Sequence, residues 1–136
     1  MKILEVLTER RKIGNVGEAA AVKHLKKNGY KILKKNFVAM GYEIDVIAFN
    51  REYVVFCEVK TRTVGHENPK EPRPASSVTS DKQKKIIAAA NHYNTDKKYT
   101  RKMRFDIIEV FVDEKKSVCN LCHLESAFTG DTAYRR

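Results

Sequence analysis

Glu43-Ile44-Asp45-Val46-Ile47 and, after a short polar break, Val54-Val55-Phe56-Cys57-Glu58-Val59-Lys60 decide how this chain reads. Both segments have the composition of buried strands, yet each carries charges. Side chains alternate faces along a strand, so Glu43, Asp45 and Ile47 are expected on one face, as are Phe56, Glu58 and Lys60. Asn50-Arg51-Glu52 reads as a turn that folds the two strands into an antiparallel hairpin. With its centre between Arg51 and Glu52, Asp45 stands across from Glu58, and Glu43 across from Lys60. Apolar strands rarely carry such a cluster unless the charges have a task. Two acids beside a lysine point to a site for a divalent metal and a phosphate.

Outward from the hairpin, the chain reads as one domain over residues 1–136. Its 42% hydrophobic content is sufficient for an ordinary core. No repeat, low-complexity tract or linker divides it. The formal charge of +10 favours a polyanionic partner, because phosphate contacts release condensed counterions. The apolar runs fall far short of the roughly 20 residues that span a bilayer, and Met1–Leu7 lacks the apolar core of a secretory signal. No membrane association and a cytoplasmic location are therefore expected.

Upstream, a helix is expected over about Glu9–Asn28, capped by Thr8 and stopped by Gly29. Gly14 and Gly17 each cost about 1 kcal/mol relative to alanine, so its start could lie nearer Gly14. Glu18 shares a face with Ala21, Val22 and Leu25; it is either salt-bridged to a lysine or a third acid of the site. Extended segments follow at Tyr30–Leu33 and Asn36–Met40. Downstream, Thr61–Thr79 holds Gly65, Pro69, Pro72 and Pro74 and reads either as a functional loop, in which Arg62, His66, Lys70 and Arg73 meet phosphates, or equally as a tolerated surface excursion. A second helix is expected over about Ser80–Asn94, capped by Thr79 or Ser80. Its buried stripe runs through Lys82, Ile86, Ala89, Ala90 and Tyr93. A basic turn near Lys97–Arg104 and strands at Arg104–Val112 and Val118–Leu124 complete an α/β fold, a mixed sheet flanked by helices.

If Glu18, Asp45 and Glu58 converge, the cluster needs a cation. Two carboxylates about 4 Å apart repel by about 4 kcal/mol at an effective dielectric near 20. Oxygen-only ligands favour Mg²⁺ or Mn²⁺ over zinc. Lys60 would lie beside the metal, where it orients water or carries developing negative charge. The competing reading is a set of cross-strand ion pairs on a solvated face. Cys119-Asn120-Leu121-Cys122-His123 matches a c-type haem attachment pattern, and its ligands also suit zinc if Cys57 or a distant histidine completes the set. The third reading is small residues packed along a strand.

The order Gly14-x-x-Gly17-Glu18-x-x-Ala21, Glu43-Ile44-Asp45-Val46-Ile47-Ala48, Val55-Phe56-Cys57-Glu58-Val59-Lys60-Thr61-Arg62 and Arg104-Phe105-Asp106-Ile107-Ile108 resembles the YraN-like family of the PD-(D/E)XK restriction-endonuclease-like superfamily. His123-Leu124-x-x-Ala127-Phe128 matches its ending. The chain departs from the family pattern at Tyr42, at Cys57 and in the proline-rich loop. The resemblance implies a restriction-endonuclease-like core with Asp45, Glu58 and the Val59 carbonyl as ligands of Mg²⁺ or Mn²⁺. It makes Lys60 the catalytic lysine and Glu18 the first-helix acid that supports the metal site. It also implies an endonuclease hydrolysing DNA phosphodiester bonds. By analogy with archaeal Holliday-junction resolvases, it points to branched or junction DNA in repair or recombination, and to a homodimer. Arg62, Lys82, Lys70 and Arg73 are the candidate DNA contacts. The alternative is a non-catalytic nucleic-acid-binding module on the same fold.

Overall fold

The computed structural model describes residues 2–64, 78–95 and 101–129. In chain order the elements are α1 (Ile3–Lys27), β1 (Lys31–Ala39), β2 (Tyr42–Phe49), β3 (Tyr53–Thr63), α2 (Ser80–Thr95), β4 (Lys102–Val112) and β5 (Val118–Phe128). The five strands form one sheet in sequential order, antiparallel except for the β3–β4 pair. Parallel neighbours need a crossover connection, and α2 lies in it. This is the α/β, restriction-endonuclease-like architecture expected, with one helix on each sheet face. No helix among the described residues is long and apolar enough to cross a membrane.

Burial follows from strand alternation. Val46, Ala48, Val55, Cys57, Ile108, Val110 and Val112 pack with Ala21 and Leu25 of α1. Ile47, Val54, Phe56, Phe105 and Ile107 pack with Ile86, Ala89, Ala90 and Tyr93 of α2. One departure matters. Ile44 and Ile47, three residues apart, both join the α2-side cluster, while Val46 joins the α1 side. Strict alternation therefore breaks around Asp45.

Helix α1 begins at Ile3, earlier than expected from Thr8. Thr8 is inside the helix, its hydroxyl donating to the Leu4 carbonyl at 2.8 Å. No breaker interrupts Ile3–Leu7, so the helix continues back to Lys2, whose N–H reaches Glu5 Oε2 at 3.4 Å. At the other end Gly29, with φ of 89°, stops the helix as expected. Its N–H donates to the Lys26 carbonyl and that of Tyr30 to the Leu25 carbonyl, the paired pattern of a Schellman motif. The two extended segments expected at 30–33 and 36–40 are one strand, β1, with a register shift between Ile32 and Lys34 and a left-handed residue, Asn36 (φ 53°). Helix α2 matches its expected span, and Thr79 Oγ1 caps it by accepting the Lys82 N–H at 3.2 Å.

Gly17 explains how closely α1 approaches the sheet. A Cβ there would lie 1.8 Å from Thr61 Oγ1 and 2.9 Å from Thr61 Cβ. Gly17→Ala is expected to destabilise the fold by about 1–3 kcal/mol, the usual range for overpacking. Urea unfolding measures the loss, and Thr61→Ala in the same chain should recover part of it.

Candidate active site

The β2–β3 ladder runs from Phe49↔Val54 to Val46↔Cys57, the register expected from a turn centred between Arg51 and Glu52. Asn50 Oδ1 stabilises that turn by accepting the N–H groups of Glu52 and Tyr53. The next step along the ladder would pair Asp45 with Glu58, and there the pairing stops. Asp45 Oδ2 accepts the Val59 N–H at 2.8 Å. A carboxylate thus satisfies a backbone donor that strand β2 leaves unpaired, and the strands part where both acids project.

Glu58 sits beside Lys60, with Nζ 3.9 Å from Oε1, and the same oxygen accepts the Tyr42 hydroxyl at 3.2 Å. Glu18 reaches the cluster from α1. The Asn36 amide, oriented by its neighbours, donates to Glu18 Oε1 at 3.0 Å and to Glu43 Oε1 at 2.9 Å. Asn36 therefore ties the first-helix acid to β2. Its left-handed backbone, which asparagine tolerates better than most residues, accompanies this placement. Neither Asn36 nor Tyr42 was among the expected site residues. The signal for Tyr42 was its position beside Glu43, where the family pattern has glycine.

Electrostatics agree with the geometry. Burial first, then the Asp45 charge, pushes Glu58 up to about 7, although Lys60, Tyr42 and Lys82 pull it down. Burial, with Glu43 adding to it, pushes Asp45 up to about 6 against the Val59 N–H and Lys60. Glu18 is raised by burial and by Asp45 and Glu43. The Tyr42 hydroxyl is raised by burial and Glu58. Acids whose folded-state pKa exceeds the unfolded value bind more protons when folded, so their ionisation destabilises the fold. The metal-free protein is therefore expected to lose stability as pH rises from about 4 to about 7. Glu58→Gln should raise its melting temperature by a few degrees at pH 7.5 and leave it unchanged at pH 4; thermal melts across that range check both.

The oxygen-only donors fit a hard cation. Asp45 Oδ1 and Glu58 Oε2 have no hydrogen bond among the described residues, and ionisation of both acids is disfavoured without a compensating positive charge. Yet no three His, Cys, Asp or Glu side chains among the described residues gather as a ready metal cage. Convergence of Glu18, Asp45 and Glu58 is thus electrostatic rather than a closed ligand set. Mg²⁺ is compatible with so few carboxylates because it retains several waters.

The other expected contacts differ among themselves. Arg62 Nε donates to the buried Glu109 carboxylate, so its guanidinium is engaged within the fold. Lys82 is exposed in the first turn of α2 rather than starting the buried stripe, since Ile86 is the first fully buried position of the helix. Its charge still acts on Glu58. Lys70 and Arg73 lie outside the described residues, as does His66. Cys119 and Cys122 are exposed on β5 rather than packed, while Cys57 is buried. His123 engages both ring nitrogens, one with Asp106 Oδ2 at 2.7 Å and one with His24 Nε2 at 2.9 Å. That arrangement disfavours His123 as a haem or zinc ligand.

A buried network unconnected with these acids joins α1, β4 and β5. Arg104 Nε donates to Asp106 Oδ1 at 2.9 Å, and its Nη2 to Asp106 Oδ2 at 2.7 Å and to Tyr30 Oη at 2.6 Å. Ser126 N–H adds a further bond to Asp106 Oδ1 at 3.0 Å.

Comparison with known proteins adds the family. The model of UPF0102, described as an uncharacterised protein family, matches residues 17–110. The chain is 40% identical over 121 residues to a UPF0102 protein of Caldanaerobacter subterraneus subsp. tengcongensis, covering 88% of this chain and 96% of that protein. A Clostridium perfringens relative is 45% identical over 118 residues, 85% of this chain and 93% of its own. A Clostridium acetobutylicum relative is 38% identical over 122 residues, 87% and 94% of the two chains. These names assign no activity.

Proposed function

We propose, from the premise that the chain belongs to UPF0102, the YraN family of restriction-endonuclease-like proteins, that it is a metal-dependent DNA endonuclease. The observation that carries this reading is the parting of β2 and β3 at Asp45 and Glu58, with Lys60 beside them and no cation among the described residues sufficient to keep both acids in their ordinary range.

In this reading Asp45, Glu58 and the Val59 carbonyl hold Mg²⁺ or Mn²⁺, with Glu18 in support. Bound there, such an ion supplies Lewis acidity and lowers the pKa of water. The chain's own groups do the rest. The Val59 N–H holds Asp45 in one orientation, and the Tyr42 hydroxyl does the same for Glu58. Asn36 keeps Glu18 directed toward Glu43 and the site. Lys60 orients the attacking water or meets negative charge developing on the phosphate oxygens as the P–O bond breaks. The +10 net charge draws DNA to the protein before any specific contact forms.

Branched DNA, particularly four-way junctions, is the proposed substrate shape, and a homodimer the proposed working form. Incubation with labelled junction, flap, single-stranded and linear duplex DNA, with Mg²⁺, with Mn²⁺ and with EDTA, tests activity and shape together. Metal-dependent cutting, strongest on junctions, supports the proposal. Cutting of every shape at one rate removes the junction preference, and no cutting removes the nuclease.

One observation favours a second reading. Since no three-ligand cage is assembled among the described residues, a non-catalytic nucleic-acid-binding module is the alternative. It predicts DNA binding that weakens steeply with salt and no metal-dependent cleavage.

A further inference from the structure

The two glycines of α1 pose different questions. Each weakens a helix relative to alanine. Gly17 is required by the fold, because Thr61 occupies the space a side chain would need. Gly14 is not: a Cβ there meets nothing within 4 Å, and its backbone is not among the left-handed positions that favour glycine. Its bare backbone instead lines a cleft of about 330 Å³ between α1 and β3, whose other walls include Arg10, Glu18, Lys60, Thr61 and Thr63. Glu18 and Lys60 belong to the proposed active site, so the cleft opens directly from it.

Its chemistry is that of an anion path. Arg10 makes no ion pair among the described residues, and the adjacent acid, Glu9, is occupied by Lys116 at 2.6 Å and Lys12 at 3.8 Å. The Thr61 and Thr63 hydroxyls make no hydrogen bond among the described residues, although their backbones pair with β4. Glu18, at the active-site end, is the one acid among the described residues of the lining. Arg10 precedes Glu18 by eight residues, about 12 Å along the helix axis, so it reaches past the reacting centre. A guanidinium, an ammonium and two hydroxyl donors around a floor without a side chain suit a linear polyanion better than a compact apolar ligand.

We infer that this cleft seats the phosphodiester backbone of one DNA strand beyond the scissile linkage, with Arg10 contacting a phosphate and Gly14 keeping the floor open. The inference deepens the nuclease reading and rests on it for the strand's direction. Its test is a binding test, so the two can fail separately.

A fluorescently labelled duplex oligonucleotide in EDTA, followed by anisotropy over a salt series, compares the wild type with Arg10→Gln, Gly14→Ala and Gly14→Gln. Arg51→Gln, exposed at the β2–β3 turn, is the control for charge alone. Arg10→Gln should weaken binding about 5–10-fold and reduce the salt slope by about 1. Gly14→Gln should weaken it about 10-fold or more while its melting temperature stays at or above that of the wild type. Gly14→Ala should raise the melting temperature by about 4 °C. Arg51→Gln should bind within about twofold of the wild type.

Wild-type affinity in both Arg10→Gln and Gly14→Gln overturns the cleft, as does a wild type that binds no DNA. An Arg51→Gln loss equal to that of Arg10→Gln overturns it too, since charge alone then suffices. If Gly14→Gln melts early, Arg10→Gln against Arg51→Gln decides. Cleft variants that lose affinity in a protein that never cuts DNA support the cleft and defeat the nuclease. Normal affinity in those variants beside metal-dependent cutting does the reverse.

Discussion

Lys60→Met is expected to lower single-turnover DNA cleavage about 10²–10³-fold, the usual scale for losing a positioned charge at developing negative charge. Methionine keeps most of the apolar stem and removes the ammonium. The lysine is partly exposed, at 27%, but its Nζ lies 3.9 Å from Oε1 of the 12%-exposed Glu58, so the substitution also removes a cation that pulls the Glu58 pKa down. DNA affinity should fall about tenfold at most, as for one phosphate contact. The pH profile supplies a second readout. Lys60 pulls both Asp45 and Glu58 down, so its removal should move the acidic limb of cleavage to higher pH. Unchanged cleavage, or a loss fully explained by weaker binding, would place Lys60 outside the chemistry.

Asp106→Asn is expected to produce the largest loss of stability, about 3–5 kcal/mol, because it leaves the buried Arg104 charge with only the exposed Glu125 carboxylate, 3.8 Å away, as a counter-ion. The Arg104 side chain is 8% exposed and that of Asp106 fully buried. In a chain of 136 residues the loss corresponds to a melting-temperature drop of about 10–20 °C. Burial alone would raise the Asp106 pKa, but hydrogen bonds from His123, Arg104 and the Ser126 N–H outweigh it and hold the carboxyl below its ordinary value. A carboxyl depressed in the folded state contributes stability above the unfolded pKa, near 4, and that contribution disappears as pH falls through the folded value. Asp106→Asn should therefore melt early at pH 7 and show a flatter acid limb than the wild type. Melts by circular dichroism between pH 2.5 and 7 measure both. Melting within about 2 °C of the wild type at pH 7 would contradict the account of this network.

The central hairpin was legible because two independent patterns agree there. Alternating apolar residues define the strands, and Asn50-Arg51-Glu52 sets the turn and hence the β2–β3 register as far as Val46↔Cys57, one step short of Asp45 and Glu58. Glu18 was legible as an acid on an apolar stripe, since Gly17, Ala21 and Leu25 do form the buried ridge of α1. The break in alternation around Asp45 was not, because it arises where β2 parts from β3 while still paired with β1. Asn36 looked like the start of a separate strand; a left-handed residue within a continuous strand has no periodic signature. The Arg104–Asp106–His123 network was equally hidden. Arg104 and Asp106 read as ordinary strand charges, and their partners Tyr30 and His123 come from distant parts of the chain. Helix α1 was shortened because Thr8 is a good capping residue in isolation, whereas here it bonds back to Leu4 within a helix already formed.

The most direct measurement of the central claim is single-turnover cleavage of a labelled four-way junction by wild type and Glu58→Gln, purified in parallel, with Mn²⁺ and with EDTA. The account predicts cutting by the wild type with metal, none in EDTA, and a loss of about 10²-fold or more in Glu58→Gln, with the mutant still binding the junction. Equal cutting by both proteins, or no cutting by a wild type that binds the same DNA, would contradict it.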